Sequence, residues 1–319
     1  MSEALRLPAR ETALAPFPVG WYAVAYAREV KQLITRQFMG RDIVLYRTAS
    51  GVLVAADATC PHMGAHLGHG GRVEGESLRC PFHGFCFDPN GVCVSTPYGG
   101  KVPRIGLRTY PVQEHQGIVL CYYDPFERAP TWNIEVPSNE GWSAPAYRAW
   151  TIQGHPQEIH ENSVDFGHFS ALHGFADVAA TQPLHIERHL LRVSYQATRV
   201  WKVGRLTFFA TTQQHGLGFS HVEVRIPKLA VSLRQYFMPT PAYENVTVLR
   251  SVTRVRVGKH SGIFAYAIAQ LIARTLGGEV KPDFTIWRHK KYLPNPGLAQ
   301  GDGPIMRYRT WAAQFGGGR

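Results

Sequence analysis

Short apolar runs separated by turn residues fill the first third of the chain, between residues 17 and 123. Segments such as GWYAVAY, DIVLYRT, GVLVAAD and GIVLCYY are rich in β-branched and aromatic residues, which is typical of strands. The Asn90-Gly91 pair lies between two further apolar runs, FCF and VCV, and indicates a tight hairpin. This pattern predicts a small all-β domain over residues 17–125.

The remainder of the chain changes pattern after a polar, proline-containing stretch at residues 124–142. Residues 157–176 have helical character, and residues 221–226 and 230–233 alternate as half-buried strands do. Two further helices are expected at residues 262–276 and 282–292. The fold class is therefore predicted to be α+β, with a second domain at 140–319 in which a sheet packs against helices.

Composition agrees with two domains, since 319 residues with 45% hydrophobic and 18% charged side chains can bury two cores. The longest apolar run, at residues 262–273, is too short to span a membrane, so no membrane span is expected. The N-terminus lacks the pattern of a secretory signal. These features, together with unpatterned cysteines at 86, 93 and 121, predict a reducing, cytoplasmic location.

Two short loops carry the most informative chemistry. The first contains Cys60 and His62, and seventeen residues later the second contains Cys80 and His83. A binuclear iron–sulfur cluster uses such a set when two Cys bind one iron and two His bind the other. A structural zinc ion is the alternative ligand. His66 and His69 also lie in or near the first loop, but we expect them to be loop residues rather than ligands.

This motif, CPH followed by CPFHG, resembles the Rieske signature of ring-hydroxylating and related oxygenases. Respiratory Rieske proteins carry an additional Cys in each loop and a Ser after the second His-Gly. This chain has Ala65, Phe82 and Phe85 at those places. Fewer polar donors to the sulfurs imply a lower potential, which favours an oxygenase over a respiratory subunit.

A second group of ligand-type residues lies within residues 161–173. At about 100° per residue, Glu161, Asp165 and His168 share one helix face, whereas His173 points about 140° away from His168. For both imidazoles to bind one metal, the helix must unwind near residues 167–172. An amphipathic helix with satisfied polar groups is the alternative interpretation.

Two His and one carboxylate form the facial triad of non-haem Fe(II) oxygenases. We expect Asp283 to supply the carboxylate, because it lies at the start of a predicted helix whose neighbouring positions are apolar. An ordinary Asp at a helix N-terminus is the competing explanation. Asp302 is the next candidate, although its Gly-Asp-Gly-Pro context is typical of a turn.

The 161–173 segment resembles the iron-binding helix of Rieske oxygenases, D/E-x3-D-x2-H-x4-H. The C-terminal segments DFTIW, NPGL and GDGP are most similar to the group containing 3-ketosteroid 9α-hydroxylase and cholesterol 7-desaturase. The resemblance implies a Rieske domain followed by a helix-grip, START-like catalytic domain with an antiparallel sheet. It also implies a [2Fe-2S] cluster and a mononuclear Fe(II) bound by His168, His173 and Asp283.

The resemblance further implies a role for Asp165. It would bridge His168 and the cluster ligand His83 of a neighbouring chain, within a head-to-tail homotrimer. From its position close to the metal-binding face, Asn162 is expected to order water or O2, or to make a structural hydrogen bond. Four aromatic residues could line an apolar cavity or simply pack in the core: Phe169, Phe175, Tyr236 and Phe237.

The function implied is that of a terminal oxygenase that hydroxylates or desaturates a hydrophobic, steroid-like polycycle with O2 and two electrons. An oxygenase of natural-product biosynthesis, catalysing oxidative cyclisation or N-oxygenation, is the alternative. An electron carrier would need only the first domain. Because no nucleotide-binding fingerprint is present, a ferredoxin or an NAD(P)H-dependent reductase must supply electrons.

The charge of the chain is strongly positive, with a net value of +11 from 34 Lys and Arg against 23 Asp and Glu. These residues are dispersed, which argues against nucleic-acid binding. The densest group is at residues 288–291. We interpret it as ordinary surface, with a docking face for an acidic electron donor as the alternative.

Overall fold

The computed structural model describes residues 14–202, 204–258 and 262–317. The first part of the chain forms three small sheets, in which all strand pairs are antiparallel. Their strands are β1 Gly20–Tyr26, β2 Ile34–Phe38, β3 Arg41–Arg47, β4 Leu53–Asp57, β5 Arg72–Glu74, β6 Ser77–Arg79, β7 Cys86–Phe87, β8 Cys93–Ser95, β9 Thr109–Tyr110, β10 Val112–His115 and β11 Ile118–Tyr123.

The sheet orders are β1-β11-β10, β2-β3-β4-β9 and β5-β6-β7-β8. The hairpin predicted at Asn90-Gly91 is confirmed, because it joins β7 to β8 and Gly91 has a φ of 84°. The last sheet places two loops side by side. One loop leads from β4 to β5, and the other leads from β6 to β7.

The second part is built on one seven-stranded antiparallel sheet, ordered β12-β18-β17-β16-β15-β14-β13. Its strands are β12 Ala146–Gln153, β13 Phe175–Glu187, β14 Leu190–Trp201, β15 Gly204–His215, β16 Phe219–Ile226, β17 Val231–Tyr243 and β18 Val246–Val257. The helices are α1 Pro156–Glu161, α2 Phe166–Ala171, α3 Ile263–His289 and α4 Ile305–Ala312, with 3-10 turns at Ala27–Glu29, Pro227–Leu229 and Ala313–Phe315.

The two faces of the large sheet have different partners, as alternation along a strand requires. Tyr236 and Val252 point towards β1 and β11 and share a core with Trp21. On the opposite face, Val255 packs against Ala269 in α3. The alanines of α3 let the helix lie close to the sheet.

This arrangement confirms the α+β prediction of an all-β first part followed by an antiparallel sheet that grips a helix. Buried hydrogen bonds join the two parts, since Thr240 and Arg250 both donate to the carbonyl oxygen of Ala23, at 2.7 and 2.8 Å. The proposed domain limits, 17–125 and 140–319, stay predictions. Among the described helices, none combines the length and apolar character needed to cross a membrane.

The helices differ from their predictions in three ways. The expected helix at 157–176 is two short helices, because Asp165 caps a new helix after a break. The expected helices at 262–276 and 282–292 are one continuous helix, α3, with Pro282 inside it. Asp283 therefore lies within a helix and does not begin one, so the prediction of its position was wrong. Helix α4 was not predicted at all.

Candidate metal centres

The two loops that are predicted to hold the cluster have the same pattern of backbone hydrogen bonds. In the first loop, Cys60 N–H donates to Ala65 O at 2.8 Å, and Gly64 N–H donates to Cys60 O at 3.0 Å. In the second, Cys80 N–H donates to Phe85 O at 2.8 Å, and the N–H of the glycine at 84 donates to Cys80 O at 3.1 Å. The chain thus presents two equivalent turns, one for each Cys and His pair.

Glycine is required at both turns for the same reason. Gly64 has a φ of 77° and Gly84 has a φ of 67°, in the left-handed region that other residues disfavour. A Cβ on Gly84 would also lie 3.0 Å from the Arg79 guanidinium, which packs against this loop. Gly64 and Gly84, each four residues after a cysteine, are therefore needed for the backbone of these turns.

The Cys and His side chains lie at different depths. Cys60 and Cys80 are buried, with 1% and 2% exposure. Burial raises the pKa of the Cys60 thiol to about 11, so a metal must displace a proton to bind there. The rings of His62 and His83 lie 4.7 Å apart and are half-buried, beside the exposed Phe82. The four side chains could hold a binuclear cluster with its imidazole end near the surface.

Neighbouring residues agree with the predicted distinction between ligands and loop residues. His66 is occupied elsewhere, since its Nε2 lies 3.1 Å from the Asp42 carboxylate and its Nδ1 accepts from Gly68 N–H. His69 is exposed. All five cysteines fall within the described residues and none forms a disulfide.

The second site is formed where the chain breaks between α1 and α2. Asp165 is the N-cap of α2, and its Oδ1 accepts from His168 N–H at 3.1 Å. Helix α2 ends at Ala171, and His173 lies in the turn before β13. The predicted unwinding therefore occurs after Ala171, and it turns His173 back towards His168.

A loop from the C-terminal part closes over this break. Gly303 has a φ of 87°, and a Cβ there would come 2.1 Å from the carbonyl oxygen of Val164. Only glycine permits this approach. In the same loop, Asp302 accepts from Ala299 N–H at 2.6 Å. Asp302 is thus a turn residue, as its sequence context indicated.

The structure brings together the three predicted ligand residues. One ligand atom each from His168, His173 and Asp283 lies within 4.8 Å of the others. His173 Nε2 lies 3.4 Å from Asp283 Oδ2. Asp283 is 4% exposed, and its Oδ1 accepts from Asn162 Nδ2 at 2.9 Å. These three residues could hold one metal ion.

The hydrogen bonds prepare His168 as a neutral ligand. Its Nδ1 lies 2.5 Å from the backbone carbonyl oxygen of Asp165, so Nδ1 carries the proton and Nε2 keeps a free lone pair. Burial lowers the pKa of His168, which also favours the neutral ring. The Asp165 carboxylate itself lies 3.9 Å from this Nδ1 and is about one-third exposed.

Glu161 does not belong to this site, and its predicted place on the face of Asp165 and His168 was wrong. The carboxylate instead forms two hydrogen bonds with Arg309 of α4, at 2.6 and 2.9 Å. The break at 162–165 changes the direction of the helix axis, so helical spacing across it has no meaning. The Ile305, Tyr308 and Ala312 spacing in α4 is the sequence signal that would have located this partner helix.

Sequence reasoning also missed Arg199, which contacts the His173 turn. Its Nη1 donates to the His173 carbonyl oxygen at 2.6 Å. An arginine in a long strand gives no sequence signal of such a contact.

Two family matches cover most of the chain. Residues 20–111 match the Rieske [2Fe-2S] domain, and residues 121–315 match the family described as 3-Ketosteroid 9alpha-hydroxylase C-terminal domain. Together with the antiparallel sheets and the paired loops, they define a Rieske oxygenase, the terminal oxygenase component of an electron-transfer system. The chain belongs to the 3-ketosteroid 9α-hydroxylase C-terminal domain family, and its Rieske domain implies a [2Fe-2S] cluster and a reductase or ferredoxin partner.

Individual relatives agree with this assignment. The chain is 28% identical to a cholesterol 7-desaturase of Bombyx mori, over 94% of this chain and 70% of the relative. It is 27% identical to the oxygenase component of a 3-ketosteroid-9-alpha-monooxygenase of Rhodococcus rhodochrous, over 94% and 84%. In fold it is similar to dicamba monooxygenase bound to dicamba, with a TM-score of 0.74 and 19% identity over 95% of this chain and 98% of that one.

Proposed function

We propose that this chain hydroxylates or desaturates a hydrophobic, steroid-like polycycle at an Fe(II) held by His168, His173 and Asp283. The electrons come from a ferredoxin or an NAD(P)H-dependent reductase through a [2Fe-2S] cluster. The observation that carries the proposal is the meeting of two imidazoles and one buried carboxylate within 4.8 Å.

The donor set fits a divalent iron. A carboxylate as buried as Asp283 is costly without a positive partner, and the contacts of its two oxygens are an amide N–H of Asn162 and the imidazole of His173. Two neutral imidazoles and one carboxylate occupy one side of an iron and leave positions for O2. When bound, the iron supplies the activation of O2; the protein residues hold it, orient its ligands and exclude water.

The cluster ligands are proposed to be Cys60, His62, Cys80 and His83. The equivalent loop geometry supports one Cys and one His from each loop. The buried cysteines would hold the inner iron, and the half-buried imidazoles would hold the iron nearer the surface. Imidazole ligands raise the potential of such a cluster relative to an all-cysteine one.

An apolar surface beside the iron site supports a hydrophobic substrate. Phe175 lies 6.1 Å from the His173 ring, and Phe169 stacks on Tyr195 at 4.9 Å. Several further apolar side chains of the same cluster are only half-buried, and therefore leave apolar surface between the sheet and the helices: Val178, Phe208, Val222 and Val224. The names of the relatives support a steroid-like substrate.

One of the four aromatic residues proposed for the cavity lies elsewhere. Tyr236 packs with Phe219 on the sheet face that contacts β1, and it serves the core, which was the alternative interpretation. Phe237 lies on the opposite face, is half-buried and packs against Trp287 of α3. Phe169, Phe175 and Phe237 remain as candidate lining residues.

We further propose that three chains assemble head to tail, so that the cluster of one chain lies beside the iron of its neighbour. Two surface features support this. The cluster imidazoles lie next to exposed Phe82, and the Asp165 carboxylate is partly exposed beside His168. Light scattering on the purified protein tests the assembly, and a monomer at micromolar concentration would contradict it.

The basic group at residues 288–291 offers less free charge than the sequence indicated. Lys290 pairs with Glu158 at 3.3 Å, and Arg288 donates to Gln153 at 3.0 Å. His289 and Lys291 are exposed. Lys290 is thus ion-paired, as on an ordinary surface, whereas exposed Arg288 keeps its charge because Gln153 is neutral.

The experiment that tests the function is a single turnover. The protein is reduced without oxygen, mixed with members of a steroid panel and a non-steroid panel, and exposed to O2; products are identified by mass spectrometry. We expect a steroid to gain one oxygen atom or to lose two hydrogens. Conversion of non-steroid substrates alone would contradict the substrate proposal.

A further inference from the structure

Arg199, in β14, contacts two of the three structural elements that supply the proposed iron ligands, the His173 turn and α3. Its Nη1 donates to the backbone carbonyl oxygen of His173 at 2.6 Å. Its Nη2 donates to Oε1 of Glu279 in α3 at 3.3 Å. The guanidinium also lies 5.3 Å from the centre of the Phe175 ring, a cation–π contact. One side chain thus joins the His173 turn to α3.

The point of attachment on α3 is close to Asp283. Glu279 precedes Asp283 by four residues, so the two carboxylates lie on the same face of the helix, one turn apart. A displacement of Glu279 along or around the helix axis would therefore displace Asp283. His173 and Asp283 already approach each other at 3.4 Å.

Helix α3 is intrinsically weak at this point. Gly278 lacks a side chain to restrict the backbone, and Pro282 has no N–H to bond the carbonyl oxygen of Gly278. Glu279 lies between them. The N-terminal half of α3 is fixed by alanines packed on the sheet, and the C-terminal half is fixed by Trp287, which packs with Ile152 and Leu249. Glu279 lies at the weak turn between these two contacts.

We propose that Arg199 is a positioning residue that holds His173 and Asp283 at the spacing an iron ion requires. It acts through the His173 carbonyl oxygen on one side and through Glu279 on the other, and it touches neither substrate nor metal. The planar guanidinium can serve both acceptors at once, which a lysine ammonium cannot do with the same geometry. This inference rests on the proposed function, because it presupposes that the three residues bind iron.

The test is the rate at which iron leaves the assembled protein in the presence of a ferrous chelator. In the Arg199→Met variant we expect release of the mononuclear iron to be about 10–100-fold faster, as for other residues that orient metal ligands. Arg199→Lys should recover part of the loss. In the Glu279→Gln variant, Arg199 keeps its hydrogen bond to the His173 carbonyl oxygen, but its contact with α3 is weaker. The rate of iron release from this variant should therefore lie between those of the wild type and Arg199→Met.

Arg205→Gln is the matched control. Arg205 pairs with Asp177 between β15 and β13, in the same region of the sheet, and this pair does not reach α3. The Arg205→Gln variant should release iron at the wild-type rate. The visible absorption of the cluster and the melting temperature show that each variant is folded, and Glu279→Gln, at a half-exposed position, serves if Arg199→Met does not fold.

The outcomes distinguish the role of Arg199 from the presence of the iron site. Wild-type release rates in Arg199→Met and Glu279→Gln would overturn the role of Arg199 and leave the iron site intact. Failure of the wild-type protein to bind mononuclear iron would overturn the proposed function together with this inference.

Discussion

At the scale of single residues, His168 shows how a backbone contact can prepare an imidazole for metal binding. The Asp165 carbonyl oxygen occupies Nδ1, and burial disfavours the charged ring, so Nε2 is available without any loss of a proton. Asp283 makes the complementary contribution, since it is a buried carboxylate that a cation would stabilise.

The role of Asp165 can be tested by separating its charge from its capping function. Asparagine is as good an N-cap as aspartate, so Asp165→Asn should keep α2 and both metals. Because it removes a negative charge beside His168, we expect turnover to fall by about 10–100-fold or more. Steady-state turnover with iron analysis measures both effects.

Asp165→Ala is the companion variant, because it also removes the cap. It should lose turnover to a similar extent and, in addition, about 1 kcal/mol of stability. Loss of iron in Asp165→Asn would contradict the account, since it would make Asp165 a ligand.

At the scale of elements, helix α3 shows why the sequence pattern indicated Asp283 as a candidate ligand but predicted two helices where the structure has one. Gly278 and Pro282 are ordinary signals of a helix end, and they led to two predicted helices. Packing of Ala269 and Ala273 on the sheet, with Trp287 buried further along, holds both halves in one helix. Tertiary contacts, which no local pattern contains, decide the outcome.

The weak turn of α3 gives a prediction for stability. Gly278 lies in the helix with no heavy atom within 4 Å of an added Cβ, so alanine fits without strain. Gly278→Ala should stabilise the protein by about 0.5–1 kcal/mol. Chemical denaturation measures this change.

Gly303→Ala is the contrasting control, because its Cβ would meet the Val164 carbonyl oxygen at 2.1 Å. It should destabilise the protein and loosen the loop over the proposed iron site. Destabilisation by Gly278→Ala would show that the turn is not the regular helix described here.

At the scale of the whole molecule, four buried histidines couple stability to pH. Burial lowers the pKa of His155 and His221 to about 4, and that of His160 and His215 to about 3. In the unfolded chain they titrate near about 6.5, so the unfolded state binds more protons in between. Their contribution to stability is complete above about pH 6.5 and is lost as the pH falls towards 4.

We therefore expect the free energy of unfolding, measured by urea denaturation, to fall between pH 6.5 and pH 4.5, by up to about 1.4 kcal/mol per buried histidine for each pH unit. His221→Gln should reduce this slope. Replacement of the exposed His185 by Gln should not change it. An equal slope in all three proteins would contradict the pKa assignment.

Some of the candidate site residues could be predicted from the sequence, and others could not. Spacing indicated Cys60, His62, His168 and His173 as candidate ligands, because residues close in sequence can meet at one site. Asp283 was proposed from its acidic side chain on an otherwise apolar helix face and from the resemblance, since no spacing rule joins it to His173, 110 residues away. Glu161 was misplaced because a helix break changes which residues share a face. Arg199 and Arg309 were missed because their partners come from distant elements.

The most direct test of the account is the iron content of wild-type protein and of Asp283→Ala, measured with the electron paramagnetic resonance of the reduced cluster. We expect about three iron atoms per chain in the wild type and about two in the variant, with the cluster signal unchanged. Equal iron content in both proteins, or loss of the cluster signal in the variant, would contradict the claim that two separate iron centres exist.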